Sequence, residues 1–323
     1  MALRVGIVGA GHMGQLHAEV LSADERVQIT GVADLAARRG EELARKLGAE
    51  AFSSTEELLA SGIEALYITT PNTTHAEPTL QALSRGVHVF CEKPFATSMK
   101  EADAIIRAYQ GAAAVYQGGH NRRYAPAYRF LRQRIDDGFT PFLVTIKMND
   151  GDLKDPPWLS DRKATGGFLY ETTIHLLDIG VWLMGDVVEI RALAKANLYP
   201  DLVDWAILLS FRDGRMGTLT SSGHASWHGP TERVEIVGDH ALLVTEGLDS
   251  ALYSAGRSEP VVSHGYAQLP PNEKWGYVQE DRAFVDAVLS RGEIGFSAGD
   301  GWKIVRLIEA CYESAETGRS VAL

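Results

Sequence analysis

The chain has 323 residues, 45% of them hydrophobic and 23% charged, with a formal net charge of −11. That length exceeds one ordinary core and suits two domains, while the acidic balance disfavours non-specific binding to nucleic acid or to anionic membranes. No run of eighteen apolar residues and no signal-peptide pattern is present, and Cys91 and Cys311 lie far apart, so no membrane helix is expected and a reducing cytoplasm is the simplest compartment.

Short, apolar, β-branched runs at residues 3–8, 27–33, 65–69, 87–91 and 113–118 read as buried strands. Residues 13–22, 35–47, 55–60, 75–85 and 98–109 carry helical patterning between them, with Gly48 and Gly86 as stops. This repeated βα pattern with short connections predicts a doubly wound parallel sheet over roughly residues 1–120. The pattern then changes. Residues 126–137 predict a helix with Pro126 in its first turn, residues 142–148 a strand, residues 150–163 a long polar loop and residues 167–184 a glycine-led helix. Strands are expected at 187–194, 204–211, 216–222, 233–237 and 241–245, with Asp213-Gly214 as a hairpin turn. Helices at 277–290 and 301–317 close the chain. The whole predicts an α/β protein: a dinucleotide-binding domain over residues 1–122 and an α+β domain over 123–323, whose last helix can pack back on the first domain.

The first strand runs directly into Gly9, Gly11 and Gly14, a GxGxxG spacing, and the second strand ends on Asp34. The first glycine permits the turn, the second removes bulk where backbone approaches a pyrophosphate, and the third lets helix and strand pack closely. The phosphates can sit at the helix N-terminus, beside His12 and Met13. Asp34 lies 20 residues beyond Gly14 and can accept both ribose hydroxyls of NAD, while its charge would repel a 2′-phosphate. Arg38 or Arg39 could reach such a phosphate, which leaves room for NADP. A flavin nucleotide suits the layout less well.

Two further clusters carry chemistry. Glu92-Lys93-Pro94 follows a strand, where the carboxyl ends of a doubly wound sheet line the ligand crevice; a lysine there can donate to a substrate oxygen. Its bland alternative is a surface lysine in an ordinary turn. Glu171, His175 and Asp178 stand at i, i+4 and i+7, so one helical face is expected to carry all three. Imidazole titrates near neutrality and can exchange a proton with an alcohol or carbonyl. The bland alternative is a structural histidine oriented by Asp178. No third ligand joins Glu171 and His175, so no metal is expected.

The N-terminal fingerprint, Glu92-Lys93-Pro94 and the segment from Gly166-Gly167 through His175 and Asp178 to Trp182-Leu183 and Gly185 resemble the Gfo/Idh/MocA family, the glucose–fructose oxidoreductase and inositol dehydrogenase-like proteins. Thr70-Pro71-Asn72 with His75, Arg122-Arg123-Tyr124 with Pro126, and Phe211 to Leu219 extend the resemblance over nearly the whole chain. It implies a Rossmann domain, a C-terminal domain with an open, mostly antiparallel sheet, and NAD(P)-dependent oxidation or reduction at a hydroxyl or carbonyl of a sugar or cyclitol.

By that resemblance Lys93 and His175 take the main catalytic places. His175 is the base in oxidation and the acid in reduction, and Lys93 holds the reacting oxygen. Glu171 stands where the family often has Asp, and Thr173 where it often has Gly; Glu171 keeps the charge but reaches one methylene further. Thr70, Pro71, Asn72 and His75 are implied along the nucleotide, Glu92, Asn121 and Arg122 near the nicotinamide, and Tyr124 beside the substrate. Trp158, with Asp150, Asp152 and Lys154, and Trp227 with His228, are further candidates for a polyhydroxylated substrate. An open sheet must hide one face, so a homodimer or homotetramer is expected. Two rival readings remain at this stage: a glycosidase that retains NAD and oxidises its sugar transiently, and a non-catalytic sensor of NAD or sugar.

Overall fold

The computed structural model describes residues 2–151, 153, 157–226, 231–290 and 292–323. Asp152, Lys154, Trp227 and His228 lie outside the described residues. The chain divides into two compact units: Met1–His120 with Tyr277–Val305, and Asn121–Gly276 with Arg306–Leu323.

The first unit is built on six parallel strands, β1 (Leu3–Val8), β2 (Val27–Ala33), β3 (Glu50–Phe52), β4 (Ala65–Ile68), β5 (His88–Glu92) and β6 (Tyr116–Gly119), in the order β3-β2-β1-β4-β5-β6. That is the Rossmann order, whose strand sequence reverses beside β1. Val5, Ile7 and every residue of β4 are buried, as apolar runs covered on both faces require. Helices α1 (His12–Ser22), α2 (Ala37–Leu47), α3 (Thr55–Ala60), α4 (Ala76–Ser84) and α5 (Met99–Gln110) connect the strands. Gly48 closes α2 at φ 65, a left-handed turn that glycine adopts without strain. The carboxyl ends of the strands therefore present Gly9, Asp34, Thr69 to Asn72, and Glu92-Lys93 along one edge of the sheet. The helix Tyr277–Val288 belongs to this unit, where Phe284 and Val285 join the core.

The second unit carries a nine-stranded sheet made of β7 (Pro141–Asn149), β8 (Val187–Lys195), β9 (Asp204–Phe211), β10 (Met216–Ser222), β11 (Glu232–Gly238), β12 (Ala241–Glu246), β13 (Ser250–Ala255), β14 (Val262–Gly265) and β15 (Val321–Ala322). Their order is β14-β13-β12-β11-β7-β10-β9-β8-β15. All pairs are antiparallel except β7 with β10. Alternation puts Val144, Ile146, Ile207, Leu209, Leu219, Val234 and Ile236 on a buried face. The opposite face exposes Leu143, Leu193, Leu208, Met216 and Val237. Asp213-Gly214 makes the expected hairpin turn, with Gly214 at φ 87.

Candidate functional site

The three glycines of the N-terminal loop meet different surroundings. Gly9 sits at φ +96, and a Cβ there would lie 2.6 Å from the Thr69 carbonyl oxygen. A Cβ on Gly14 would lie 2.0 Å from the Gly9 carbonyl oxygen. Both positions are closed by the protein's own backbone. Gly11 has an ordinary extended conformation, φ −73 and ψ −162, and a Cβ there would have no described atom within 4 Å. Nothing in the fold demands glycine there, yet the position caps α1 with no side chain to accept from its first-turn N–H groups. Open space in front of unshielded helix N–H groups is the cradle that a pyrophosphate requires. The residues thus fit the nicotinamide dinucleotide that the sequence implies. His12 is exposed and Met13 half-buried on the first turn of this helix.

Asp34 is 8% exposed at the end of β2. One carboxylate oxygen accepts from the Ala10 N–H at 2.7 Å, the other from the Ala36 N–H at 2.7 Å. Arg39 clamps both oxygens, at 3.1 and 3.0 Å. Burial raises the carboxyl's pKa, but Arg39 and the two amides outweigh it and hold the group below its ordinary value. Arg38 instead points to Glu42 and is largely exposed.

Past β4, Thr70 is half-buried and its hydroxyl oxygen finds no hydrogen-bond partner among the described residues. Pro71 is exposed and Asn72 buried. His75 is buried, with Nδ1 2.9 Å from the Pro94 carbonyl oxygen and Nε2 2.8 Å from that of Thr70. Two carbonyls can only accept, so the ring satisfies both only as an imidazolium. Burial works against that charge, but the Cys91 sulfur and the two carbonyls prevail and raise the pKa to about 9. His75 therefore ties the Thr70 turn to the turn that follows Lys93.

Glu92 ends β5, buried, and Lys93 follows it, half-buried. One Glu92 oxygen lies 2.9 Å from Nε2 of His17, and the other accepts the Lys93 backbone N–H at 3.0 Å. Nδ1 of His17 contacts both oxygens of Asp281, at 2.8 and 3.0 Å. Burial opposes charge on His17, yet Asp281 and Glu92 raise its pKa well above the ordinary value. Burial would also raise Glu92, but His17 and the Lys93 charge keep it low. Glu280 is buried, and burial and the Glu92 charge push its pKa well up against a backbone hydrogen bond from His120.

In the second unit, one π-helical turn, Leu169–Thr173, leads into the α-helix Ile174–Met184. Such turns insert an extra residue per turn and are frequent at functional sites. The expectation of a single face carrying Glu171, His175 and Asp178 requires α-helical spacing throughout, which this turn interrupts. Glu171 and His175 are half-buried, whereas Asp178 is fully buried and accepts from Arg123 at 2.6 to 3.1 Å. Thr173 is also buried and shares a 2.8 Å hydrogen bond with Ser221. Asn121 donates to the Trp275 carbonyl at 2.9 Å. Arg122 is buried, 3.4 Å from Glu232 and 4.2 Å from the Trp275 ring centroid. Tyr124 is half-buried, and Trp158 is 46% exposed on a short 3-10 turn, Pro157–Ser160.

Sequence alone does not reach His17, Glu280, Asp281 or the Arg39 clamp. His17 and Asp281 are 264 residues apart, so no local spacing could pair them. Arg39 reads from sequence as a phosphate ligand, although its five-residue separation from Asp34 makes the ion pair a local one.

Residues 3–120 match the oxidoreductase family's NAD-binding Rossmann-fold domain, GFO_IDH_MocA, and residues 133–323 match its C-terminal alpha/beta domain. The chain is 25% identical to inositol 2-dehydrogenase of Rhizobium meliloti, with 100% of each chain covered. It is 32% identical to UDP-N-acetylglucosamine 3-dehydrogenase of Acidithiobacillus ferrooxidans, over 78% of this chain and 76% of that one. The structure of GenD2 from gentamicin A biosynthesis, in complex with NAD, superposes with a TM-score of 0.87 at 27% identity, covering 100% of this chain and 96% of that one. The chain belongs to the Gfo/Idh/MocA oxidoreductase family and is an NAD-binding oxidoreductase.

Proposed function

We propose that this oxidoreductase interconverts a hydroxyl and a carbonyl on a sugar or cyclitol. The observation that carries the reading is the glycine loop: Gly9 and Gly14 are closed by backbone, while Gly11 alone opens onto space before a helix N-terminus. The substrate class rests on the relatives, which are named as dehydrogenases of inositol and of UDP-N-acetylglucosamine. Those names favour neither a glycosidase nor a sensor.

When bound, NAD supplies the hydride acceptor for oxidation, and NADH the donor for reduction. The remaining work falls to side chains. Lys93 donates a hydrogen bond to the reacting oxygen and stabilises negative charge that develops on it. His175 accepts the hydroxyl proton in oxidation and returns it in reduction. Glu171, four residues earlier and also half-buried, orients a substrate hydroxyl. Tyr124 and Trp158 supply aromatic surface for the ring. The loop from Gly9 to Gly14, with His12 and Met13, holds the pyrophosphate. Arg39 and two backbone amides fill both Asp34 oxygens in this structure, so Asp34 accepts from the adenosine ribose once Arg39 swings to the rim beside Arg38, and its carboxylate favours NAD over NADP. Thr70, Pro71, Asn72 and Glu92 line the nucleotide. His75 acts through the turns that it joins, and Asn121 and Arg122 through the buried contacts that they make.

The exposed apolar face of the nine-stranded sheet is the proposed self-association surface. Leu143 pairs with both Met216 and Val237 across neighbouring strands, so the three form one stripe. No helix among the described residues is long and apolar enough to cross a membrane. Cys91 and Cys311 are free and buried, which suits a reducing cytoplasm.

The test is a panel of inositols, aldoses and keto-sugars with NAD, NADH and their 2′-phosphates, read at the nicotinamide absorbance. Turnover of at least one polyol with NAD supports the reading. Cofactor binding without turnover of any member overturns it.

A further inference from the structure

The buried cluster behind Lys93 has no place in the proton chemistry above, although it spans three elements of the first unit. His17 comes from α1, Glu92 from the end of β5, and Asp281 from the helix Tyr277–Val288. The imidazole is 0% exposed and walled by Phe90, Tyr67 and Tyr277, with ring centroids 4.9, 5.5 and 6.0 Å away. Each ring nitrogen faces a carboxylate. Ionised Glu92 accepts from Nε2, and between Nδ1 and Asp281 the proton lies on the imidazole, whose pKa both carboxyl groups raise, although burial raises that of Asp281 as well. In a dry, aromatic-walled site, charged hydrogen bonds of 2.8 to 2.9 Å are strong and directional. They fix the carboxylate plane of Glu92, whose remaining oxygen then accepts the Lys93 N–H.

A purely structural ion pair would end at Glu92. This one continues into the backbone of the residue that is proposed to hold the reacting oxygen. Fixing that peptide fixes where the Lys93 side chain starts. Displacing it by a fraction of an ångström would move the ammonium off the line of proton and hydride transfer, to which rates are sharply sensitive. The charges also balance locally. Glu92 carries a negative charge next to Lys93, and His17 answers it from the other side, with Asp281 holding the ring in its charged form.

We propose that His17, held by Asp281, is a positioning residue for Lys93 and acts on it through Glu92. The inference rests on the reading of Lys93 as the residue that holds the reacting oxygen.

A double-mutant cycle tests it in the full chain, using NAD and the polyol from the panel above that the enzyme turns over fastest. His17→Gln keeps one donor and loses the charge. It is expected to lower kcat about tenfold or more while NAD affinity changes by less than about twofold. In a Lys93→Ala background the same substitution is expected to cost less than about twofold, because its route to the chemistry is already gone. Asp281→Asn, which still offers an acceptor to Nδ1, is expected to retain more activity than His17→Gln and guards against a poorly folded variant. An equal loss from His17→Gln in both backgrounds would mean general damage to the fold and overturn the inference. Wild-type turnover by Lys93→Ala would instead overturn the reading of Lys93.

Discussion

Replacing each glycine of the N-terminal loop with alanine separates what the fold requires from what the nucleotide requires. Gly14→Ala puts a methyl 2.0 Å from the Gly9 carbonyl oxygen, and Gly9→Ala puts one 2.6 Å from that of Thr69 at φ +96. Overpacking of that kind costs about 1–3 kcal/mol, and a left-handed conformation adds about 1–2 kcal/mol at Gly9. Gly11→Ala meets no described atom within 4 Å and needs no unusual backbone. As the N-cap of α1, alanine is poorer than glycine by up to about 1 kcal/mol, and a gain of about 0.4–1 kcal/mol through the unfolded chain offsets this, so the net effect on folding is close to neutral. Toward NAD the order reverses. With the pyrophosphate held as proposed, a methyl on Gly11 would stand where phosphate approaches the helix N–H groups, and losing one charge-assisted hydrogen bond costs about 1.5–3 kcal/mol. That corresponds to a Kd about 10- to 100-fold weaker. Thermal unfolding without cofactor and calorimetric titration with NAD measure the two quantities. A Gly11→Ala protein that unfolds as early as Gly14→Ala, or that binds NAD at wild-type strength, would refute the reasoning.

Four other perturbations have expected outcomes. His75 has a folded pKa of about 9 against 6.5 for an unperturbed histidine, so its contribution is complete below 6.5 and is lost as pH rises through 9. The fall in unfolding free energy across that window, of order 3 kcal/mol, is expected to flatten in His75→Gln, and a fall of the same size in both proteins would count against the imidazolium. Asp34→Ser releases Arg39 from its carboxylate partner, and steady-state kinetics are expected to show relative preference moving toward NADP by about tenfold or more. Asp178→Ala leaves Arg123 buried without its carboxylate, and chemical denaturation is expected to show about 3–5 kcal/mol of lost stability. Met216→Asp places a charge in the apolar stripe, and light scattering is expected to report smaller particles than the wild type; unchanged mass would remove that face as the interface.

Most of the first unit is readable from sequence because its signals are local; the three-residue β3 and the return of Tyr277–Val305 to this unit are not. Apolar runs mark β1, β4 and β5 as strands buried on both faces, and the glycine spacing with Asp34 declares itself within a short N-terminal stretch. The second unit is partly readable. Alternation identifies β7 through β12, but β15 has two residues and no pattern of its own, so only pairing with β8 makes it a strand. The π-helical turn at Leu169–Thr173 is not legible, because amino-acid periodicity does not announce an inserted residue, and it changes which side chains share a face with His175. Asp178 reads as a partner for His175 from spacing alone, whereas the fold gives it to Arg123. The charged cluster behind Lys93 depends on contacts between residues far apart in the chain, which sequence reading cannot supply without a fold. Lys93 and His175 themselves stand out through the company of motifs around them rather than by residue type.

In the proposed reaction a hydride moves to or from a polyol while His175 carries the hydroxyl proton. Single-turnover reduction of NAD by His175→Ala, followed at the nicotinamide absorbance alongside NAD binding, tests it most directly. The rate is expected to fall by about 10²-fold or more with NAD affinity within about twofold of wild type. A rate equal to that of the wild type would contradict it.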